Sequence, residues 1–301
     1  DGCHIFQMPD RNSDVTRCRM PVISVLMGIY NEKKANAMLA IDSILRQTFQ
    51  DFEFVICDDG SDEAFYRWLV SYCKKDARIL LLRNKKNQGL SVALNRCLRH
   101  SSGRFLARMD ADDISMPGRL EIQASFLQKH REYALVGSYV QMMDEQGIWG
   151  GRRVEKQPSA RSFLWTSPFV HPAVMFRREV LEAVHGYCEA PWAVRVEDYE
   201  LFMRLYAAGY SGYNIPKALL QYREDRDAYG RRTYRYRIHE SFVRRKGFKE
   251  LGILKGNRRY VWKPLAAGLV PSKFMRLLHR GRYRTRPGGT SEYRKDGGCK
   301  G

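Results

Sequence analysis

No stretch of this 301-residue chain approaches the roughly 18 apolar residues that a membrane-crossing helix needs. The longest apolar runs, Pro21–Tyr30 and Trp262–Pro271, are too short for that span. Cysteine is sparse and scattered: Cys3, Cys18, Cys57, Cys73, Cys97, Cys188 and Cys299 form no Cys-x-x-Cys pair. That excludes a zinc ligand set and points to buried thiols in a reducing compartment. The glycine pattern of a nicotinamide-binding fold is missing, since Gly28-Ile29-Tyr30-Asn31-Glu32 supplies no Gly-x-Gly-x-x-Gly, and no phosphate-binding P-loop occurs. No internal repeat is visible. Acidic residues thin out towards the end. From Glu224 onward there are 22 basic and 7 acidic residues, so that segment holds +15 of the net +19. A near-neutral body with a strongly basic tail predicts a polyanionic partner surface, lipid headgroups or nucleic acid; a merely solvated tail would show the same composition.

What is present is an ordinary globular balance, 44% hydrophobic and 28% charged, enough to build a core. Residues 1–19 lack periodicity and are expected to be a disordered leader, with Met20 a candidate start directly before the first strand. Val22–Ile29 is a β-branched apolar run, read as a buried strand. Strands are likewise expected at Phe52–Cys57, Ile79–Arg83, Phe105–Met109 and Ala134–Met143. Helices are expected at Ala35–Arg46, Ala64–Cys73, Gly89–His100, Leu120–His130 and Glu197–Ala208. Strands alternating with helices predict an α/β fold with a mixed, mostly parallel sheet flanked by helices. Its ligands would bind beyond the carboxyl ends of the strands. Two acidic turns, Asp58-Asp59 and Asp110-Ala111-Asp112-Asp113, fall at such ends. The expected organisation is a catalytic domain over 20–223 and a basic helical extension over 224–301, disordered after about residue 280.

Asp110 and Asp112 stand one residue apart after a strand, a spacing that suits one hard cation, Mg²⁺ or Mn²⁺, shared with substrate phosphates. Asp clusters also cap helices, and Asp113 is a candidate cap for the helix over Pro117–His130. Asp198 and Glu197 open a helix, where acids also serve the helix dipole alone.

The ordered set Val22–Glu32 (VISVLMGIYNE), Ser43–Glu53, Asp58–Asp62 (DDGSD), Asn87-Gln88-Gly89 with Asn95, Asp110–Leu120 (DADDISMPGRL), His171-Pro172 and Glu197-Asp198 resembles family 2 glycosyltransferases. The resemblance spans about Met20 to Tyr222. It implies a GT-A fold with a Rossmann-like nucleotide-binding half, a nucleotide-sugar donor, a divalent metal and inversion at the anomeric carbon. It implies that Gly28, Tyr30, Glu32, Asp58, Asp59, Asn87, Gly89, Asp110 and Ala111 bind the nucleotide sugar, with Asp59 on the base, usually uracil. It also implies Asp112 and Asp110 as metal ligands and Asp198 as the catalytic base. A threonine or serine often stands where Gly28 does. His171, Glu197 and Trp192 are expected to line the acceptor side, and Trp165 is a further candidate for stacking on a sugar. The acceptor is expected to be a glycan, lipid-linked and destined for a surface polysaccharide. The basic extension would then lie on an anionic membrane, placing the enzyme in the cytoplasm on the inner face. No nucleic acid is expected. Two other readings fit parts of the pattern: a basic nucleic-acid-binding protein, and a glycoside hydrolase using Asp112 and Asp198 as its carboxylate pair.

Overall fold

The computed structural model describes residues 20–224, 234–269, 281 and 283. The expectations for residues 1–19 and for the end of the extension therefore lie outside the described residues. In chain order the regular elements are β1 (Ile23–Ile29), α1 (Lys34–Leu45), β2 (Phe52–Asp58), α2 (Glu63–Cys73), β3 (Ile79–Arg83), α3 (Leu90–Arg99), β4 (Phe105–Asp110), β5 (Ile114–Ser115), α4 (Arg119–Lys129), β6 (Leu135–Asp144), β7 (Gly147–Arg152), β8 (Met175–Arg177), α5 (Arg178–Ala183), α6 (Glu197–Ala207), β9 (Gly212–Arg223), α7 (Tyr234–Glu250) and α8 (Arg258–Gly268). Each expected strand and helix is present, with ends displaced by a residue or two.

The sheet runs β3-β2-β1-β4-β8-β6-β9-β5, with β7 added beside β6. Its first four strands are all parallel. Beyond them β8 runs antiparallel to both β4 and β6, while β9 returns parallel to β6. The fold is thus mixed α/β, with its parallel pairs concentrated in the N-terminal half. β1 lies between β2 and β4, so the chain leaves it towards one side and comes back on the other. That reversal opens a crevice at the carboxyl ends of β1 and β4.

The two faces of the sheet are covered separately. On β1 the alternate residues Ile23, Val25, Met27 and Ile29 join α1, α2 and α4 in one core. Leu26 points the other way, into a second core with Ala93, Leu94 and Cys97 of α3, Leu201 and Phe202 of α6 and Val243 and Phe248 of α7. This period-two split is what a strand covered on both faces requires. Cys57, Cys73 and Cys97 are buried free thiols and Cys188 is a free, half-buried one.

Candidate active site

The crevice begins at the register between β1 and β4, which sets Gly28 beside Asp110. Gly28 is bare because α3 crosses directly behind it. A Cβ there would lie 3.0 Å from Leu90 Cδ1 and 3.2 Å from Ala93 Cβ, so a larger residue would need these α3 side chains to give by a few tenths of an ångström.

β4 ends in the acidic turn. Asp110, Asp112 and Asp113 each offer a carboxylate oxygen, and these oxygens lie within 4.8 Å of one another. Three like charges so close repel, and burial adds to the cost of ionising them. Burial first, then Asp110 and Glu32, push the Asp112 carboxyl up to about 7. Asp113 is raised by burial and by its two neighbours. Asp113 does not cap α4, whose N-cap is Gly118 with no side-chain bond. It is instead fully buried and accepts the Arg223 backbone N–H at 2.7 Å, tying the end of β9 to the turn. Its other oxygen, Oδ2, is buried without a hydrogen-bond partner. The pair left facing the cavity, Asp110 and Asp112, is an all-oxygen donor set, which fits Mg²⁺ or Mn²⁺.

Two arginines that the sequence did not single out fix this turn. Arg119, fully buried, donates to the carbonyls of Arg108 at 2.7 Å and Val174 at 3.3 Å and to Gln123 Oε1 at 3.0 Å. It clamps β4 to β8 just below the acids. Arg108, only 3% exposed, sets Nη1 2.5 Å from Asp110 Oδ2 as an ion pair, and its Nε is buried without a hydrogen-bond partner. This guanidinium sits among Asp112, Asp113, Glu197 and Asp198 and favours their ionised forms. It partly offsets the cost of gathering so many carboxylates.

The sign of a pH effect follows. The folded Asp112 carboxyl, at about 7 against 3.8 ordinarily, binds its proton more tightly than the unfolded chain does. In metal-free protein this site adds stability in acid and gives it up as pH rises from about 4 through 7. A divalent cation competes with that proton. Mn²⁺ should therefore raise the melting temperature more at pH 8 than at pH 6, and Asp112→Asn should remove the difference. Equal Mn²⁺ shifts at both pH values in the unmodified protein would contradict the assignment.

The opposite wall is the start of α6. Burial, then Asp198, push the Glu197 carboxyl up to about 7. Asp198 is raised chiefly by burial, opposed by the Tyr199 backbone N–H, Arg108 and Arg152. A carboxylate held above its ordinary range is a stronger proton acceptor. His171 also lines this wall, its Nε2 sharing a 2.9 Å hydrogen bond with the Tyr187 hydroxyl. Burial, with Arg108 adding to it, holds His171 well below 6.5, so it is neutral at pH 7. The Tyr187 backbone is fixed in turn by Asn95, which accepts its N–H at 2.8 Å and donates to its carbonyl at 2.8 Å.

The third wall comes from the basic segment. Tyr236, Arg237, Glu240 and Arg244 of α7 line the same cavity, of about 510 Å³. Arg244, 2% exposed, docks the helix by donating to the carbonyls of Leu164 at 2.9 Å and Trp165 at 3.1 Å.

The structure brings Gly28, Tyr30, Glu32, Asp110, Ala111, Asp112, His171, Glu197 and Asp198 into this one cavity. Asp58, Asp59, Asn87, Gly89 and Trp192 are not on its lining. Asp58 is buried, 3.4 Å from Arg83 Nε and 3.3 Å from the Ser61 N–H. The Asp59 carboxylate accepts from Asn84 Nδ2 at 2.7 Å, Gln88 N at 3.0 Å and Gly89 N at 2.7 Å. It thereby shapes the loop that carries Asn87 and Gly89. Trp192 packs edge-on against Phe242 with Lys246 over its ring, and Trp165 packs edge-on against Tyr260. Both tryptophans seat α7 and α8 where sugar stacking was expected.

A doubly covered mixed sheet with a crevice at the switch point beside β1 and β4 is an architecture of the GT-A class. Solved structures of that class superpose on it. S. aureus TarS 1-349 in complex with UDP-GlcNAc matches with a TM-score of 0.61 at 18% identity, covering 82% of this chain and 71% of that one. Mannosyltransferase PcManGT from Pyrobaculum calidifontis, in complex with GDP-Man and Mn²⁺, gives 0.58 at 19% identity over 88% and 81%. The description "Glycosyl transferase family 2" matches residues 24–184. Among curated relatives, "Putative glycosyltransferase EpsE" of Bacillus subtilis is 36% identical over 263 residues, covering 87% of this chain and 94% of that one. "UDP-Gal:alpha-D-GlcNAc-diphosphoundecaprenol beta-1,3-galactosyltransferase" of Escherichia coli is 30% identical over 230 residues, 73% and 81% respectively. The chain belongs to glycosyltransferase family 2, an enzyme family with members in polysaccharide biosynthesis.

Proposed function

We propose that this protein is a metal-dependent, inverting glycosyltransferase that moves a sugar from a UDP-sugar to a hydroxyl of a lipid-linked glycan. The observation that carries the proposal is that Asp110, Asp112 and Asp198 line a single cavity. Asp110 and Asp112 would hold Mn²⁺ or Mg²⁺, and the cation would supply Lewis-acid stabilisation to a departing diphosphate. Tyr30, 49% exposed at the rim, offers its ring to the nucleotide, and Gly28 leaves room on the crevice floor. Asp59 supports the nucleotide pocket through the 84–89 loop. Asp198 accepts the proton of the acceptor hydroxyl as that oxygen attacks from the face opposite the diphosphate, which inverts the anomeric carbon. Glu197 stands beside it, its carboxyl raised by burial and by Asp198. His171, neutral and held by Tyr187, orients the acceptor without exchanging a proton.

UDP and a diphospholipid acceptor are supported by the UDP-GlcNAc bound in TarS and by the named substrates of the Escherichia coli relative. A panel of nucleotide sugars screened by thermal shift with Mn²⁺ tests the donor. One UDP-sugar should raise the melting temperature most, because a ligand of the folded state alone stabilises it. No shift with any of them would contradict the proposal.

The enzyme works at an anionic membrane surface. No helix among the described residues is long and apolar enough to cross a membrane. Tyr234, Ile238 and Phe242, spaced four apart on α7, and Trp262 on α8 are exposed by 48%, 51%, 49% and 63%, beside the basic residues of the same helices. Apolar and basic side chains together suit an interfacial surface, where each Lys or Arg contributes about 1 kcal/mol. The full chain should co-sediment with phosphatidylglycerol vesicles at low salt and detach as salt rises; absence of binding at low salt would remove the membrane role.

A further inference from the structure

We propose that Arg152, Arg195 and Arg237 form a phosphate-binding site on the acceptor side of the cavity, separate from the donor's metal site, that holds the diphosphate of a lipid-linked acceptor. The proposal rests on the transferase reading above and deepens it. The three arginines come from the end of β7, the turn before α6 and the first turn of α7, yet line the same cavity. Arg152 and Arg195 lie on the side of Asp198 and Glu197, and Arg237 follows Tyr236, whose ring Arg195 overlies. Arg152 favours the ionised form of Asp198, and Arg195 that of Glu197.

Their donors are largely unspent. Arg152 gives one bond, from Nη2 to the Ser167 carbonyl at 3.2 Å. Arg195 makes only a ring contact, its guanidinium carbon 5.9 Å from the centre of Tyr236. Arg237 reaches Glu240 Oε2 at a loose 3.5 Å. A guanidinium offers five N–H donors in a planar fork, matched to phosphate oxygens. Arg195 is also held at φ 70°, a conformation costly for a side-chain-bearing residue. Its side chain lines the cavity.

The chemistry of the acceptor completes the argument. Asp110 and Asp112, with their cation, already serve one diphosphate. A second cationic cluster beside the base has no donor charge left to neutralise. A diphosphate on the acceptor's reducing end would fit it, leaving the sugar hydroxyl within reach of Asp198 and the lipid directed along the exposed apolar side of α7. Since α7 supplies Arg237, the acceptor subsite depends on the segment beyond the family match at residues 24–184.

Calorimetric titration of farnesyl diphosphate into the full chain, with and without saturating UDP and Mn²⁺, tests this. Farnesyl diphosphate should bind whether or not UDP is present. The double variant Arg152→Ala/Arg195→Ala and the single variant Arg237→Gln should each weaken it by about tenfold or more while leaving UDP affinity within about twofold. Phosphatidylglycerol vesicles, which carry phosphate but no diphosphate, should bind all forms alike. Displacement of farnesyl diphosphate by UDP, an equal loss of UDP in the variants, or a loss of vesicle binding alone would overturn the proposal, as would failure of the unmodified chain to bind farnesyl diphosphate. Failure of UDP to bind would contradict the donor reading instead, and the farnesyl diphosphate arm would still report on the arginines.

Discussion

Asp198→Asn should lower turnover by about 10²-fold or more while leaving donor affinity within about twofold. The substitution keeps the volume and the hydrogen-bonding shape of the side chain at the start of α6 and removes its capacity to take a proton. Asp198 belongs to α6 and not to the acidic turn, so donor contacts should be unaffected. Its carboxyl is raised by burial, and asparagine has no charge to desolvate, so the variant should be at least as stable as the parent at pH 7 and above. Measured kcat and UDP dissociation constants separate the two effects. Near-normal kcat would move the base elsewhere, with Glu197 the next carboxylate on that wall. An equal loss of UDP binding would mean that Asp198 belongs to the donor site.

Asp112→Ala should abolish metal-dependent transfer, lowering it by about 10²-fold or more, and weaken UDP binding in Mn²⁺ about tenfold. In excess chelator, parent and variant should bind UDP equally weakly. Stability should not fall in the metal-free state. The Asp112 carboxyl is pushed up to about 7 by burial first and then by Asp110 and Glu32, so its removal takes away a desolvated and repelled charge at neutral pH. A variant that unfolds would show that Asp112 is a structural acid. A variant that transfers sugar normally would show that the cation is held elsewhere.

The strands of the nucleotide-binding half were legible because they are short apolar runs buried on both faces, each ending in a polar turn. Asp110 and Asp112 could be read for the same reason, since their distance from β4 is fixed by sequence alone. β9 was not read. Its sequence GYNIPKALLQYR contains Pro216 and mixes exposed with buried positions, and its register against β6 shifts at Ser138, Tyr139 and Val140. Its pairing is set by contacts far away in the chain. Arg108 and Arg119 carry no local signal either. An arginine in a strand or at the start of a helix ordinarily reads as solvated, and only the fold shows both buried beneath the acids. Asp113 shows the opposite failure: a plausible helix cap by position, it was taken up by the distant Arg223 backbone. The basic composition of α7 left open a membrane surface or a helical cap packed on the catalytic domain, and could not show that Arg244 would dock the helix against the 164–165 carbonyls at the cavity.

The central claim, that the Asp110–Asp112 pair holds a cation that in turn holds a nucleotide diphosphate, is tested most directly by titrating UDP into the unmodified protein in Mn²⁺ and again in excess EDTA. Saturable binding in Mn²⁺ that weakens about tenfold or more in EDTA is the expected result. UDP binding of equal strength under both conditions would contradict it.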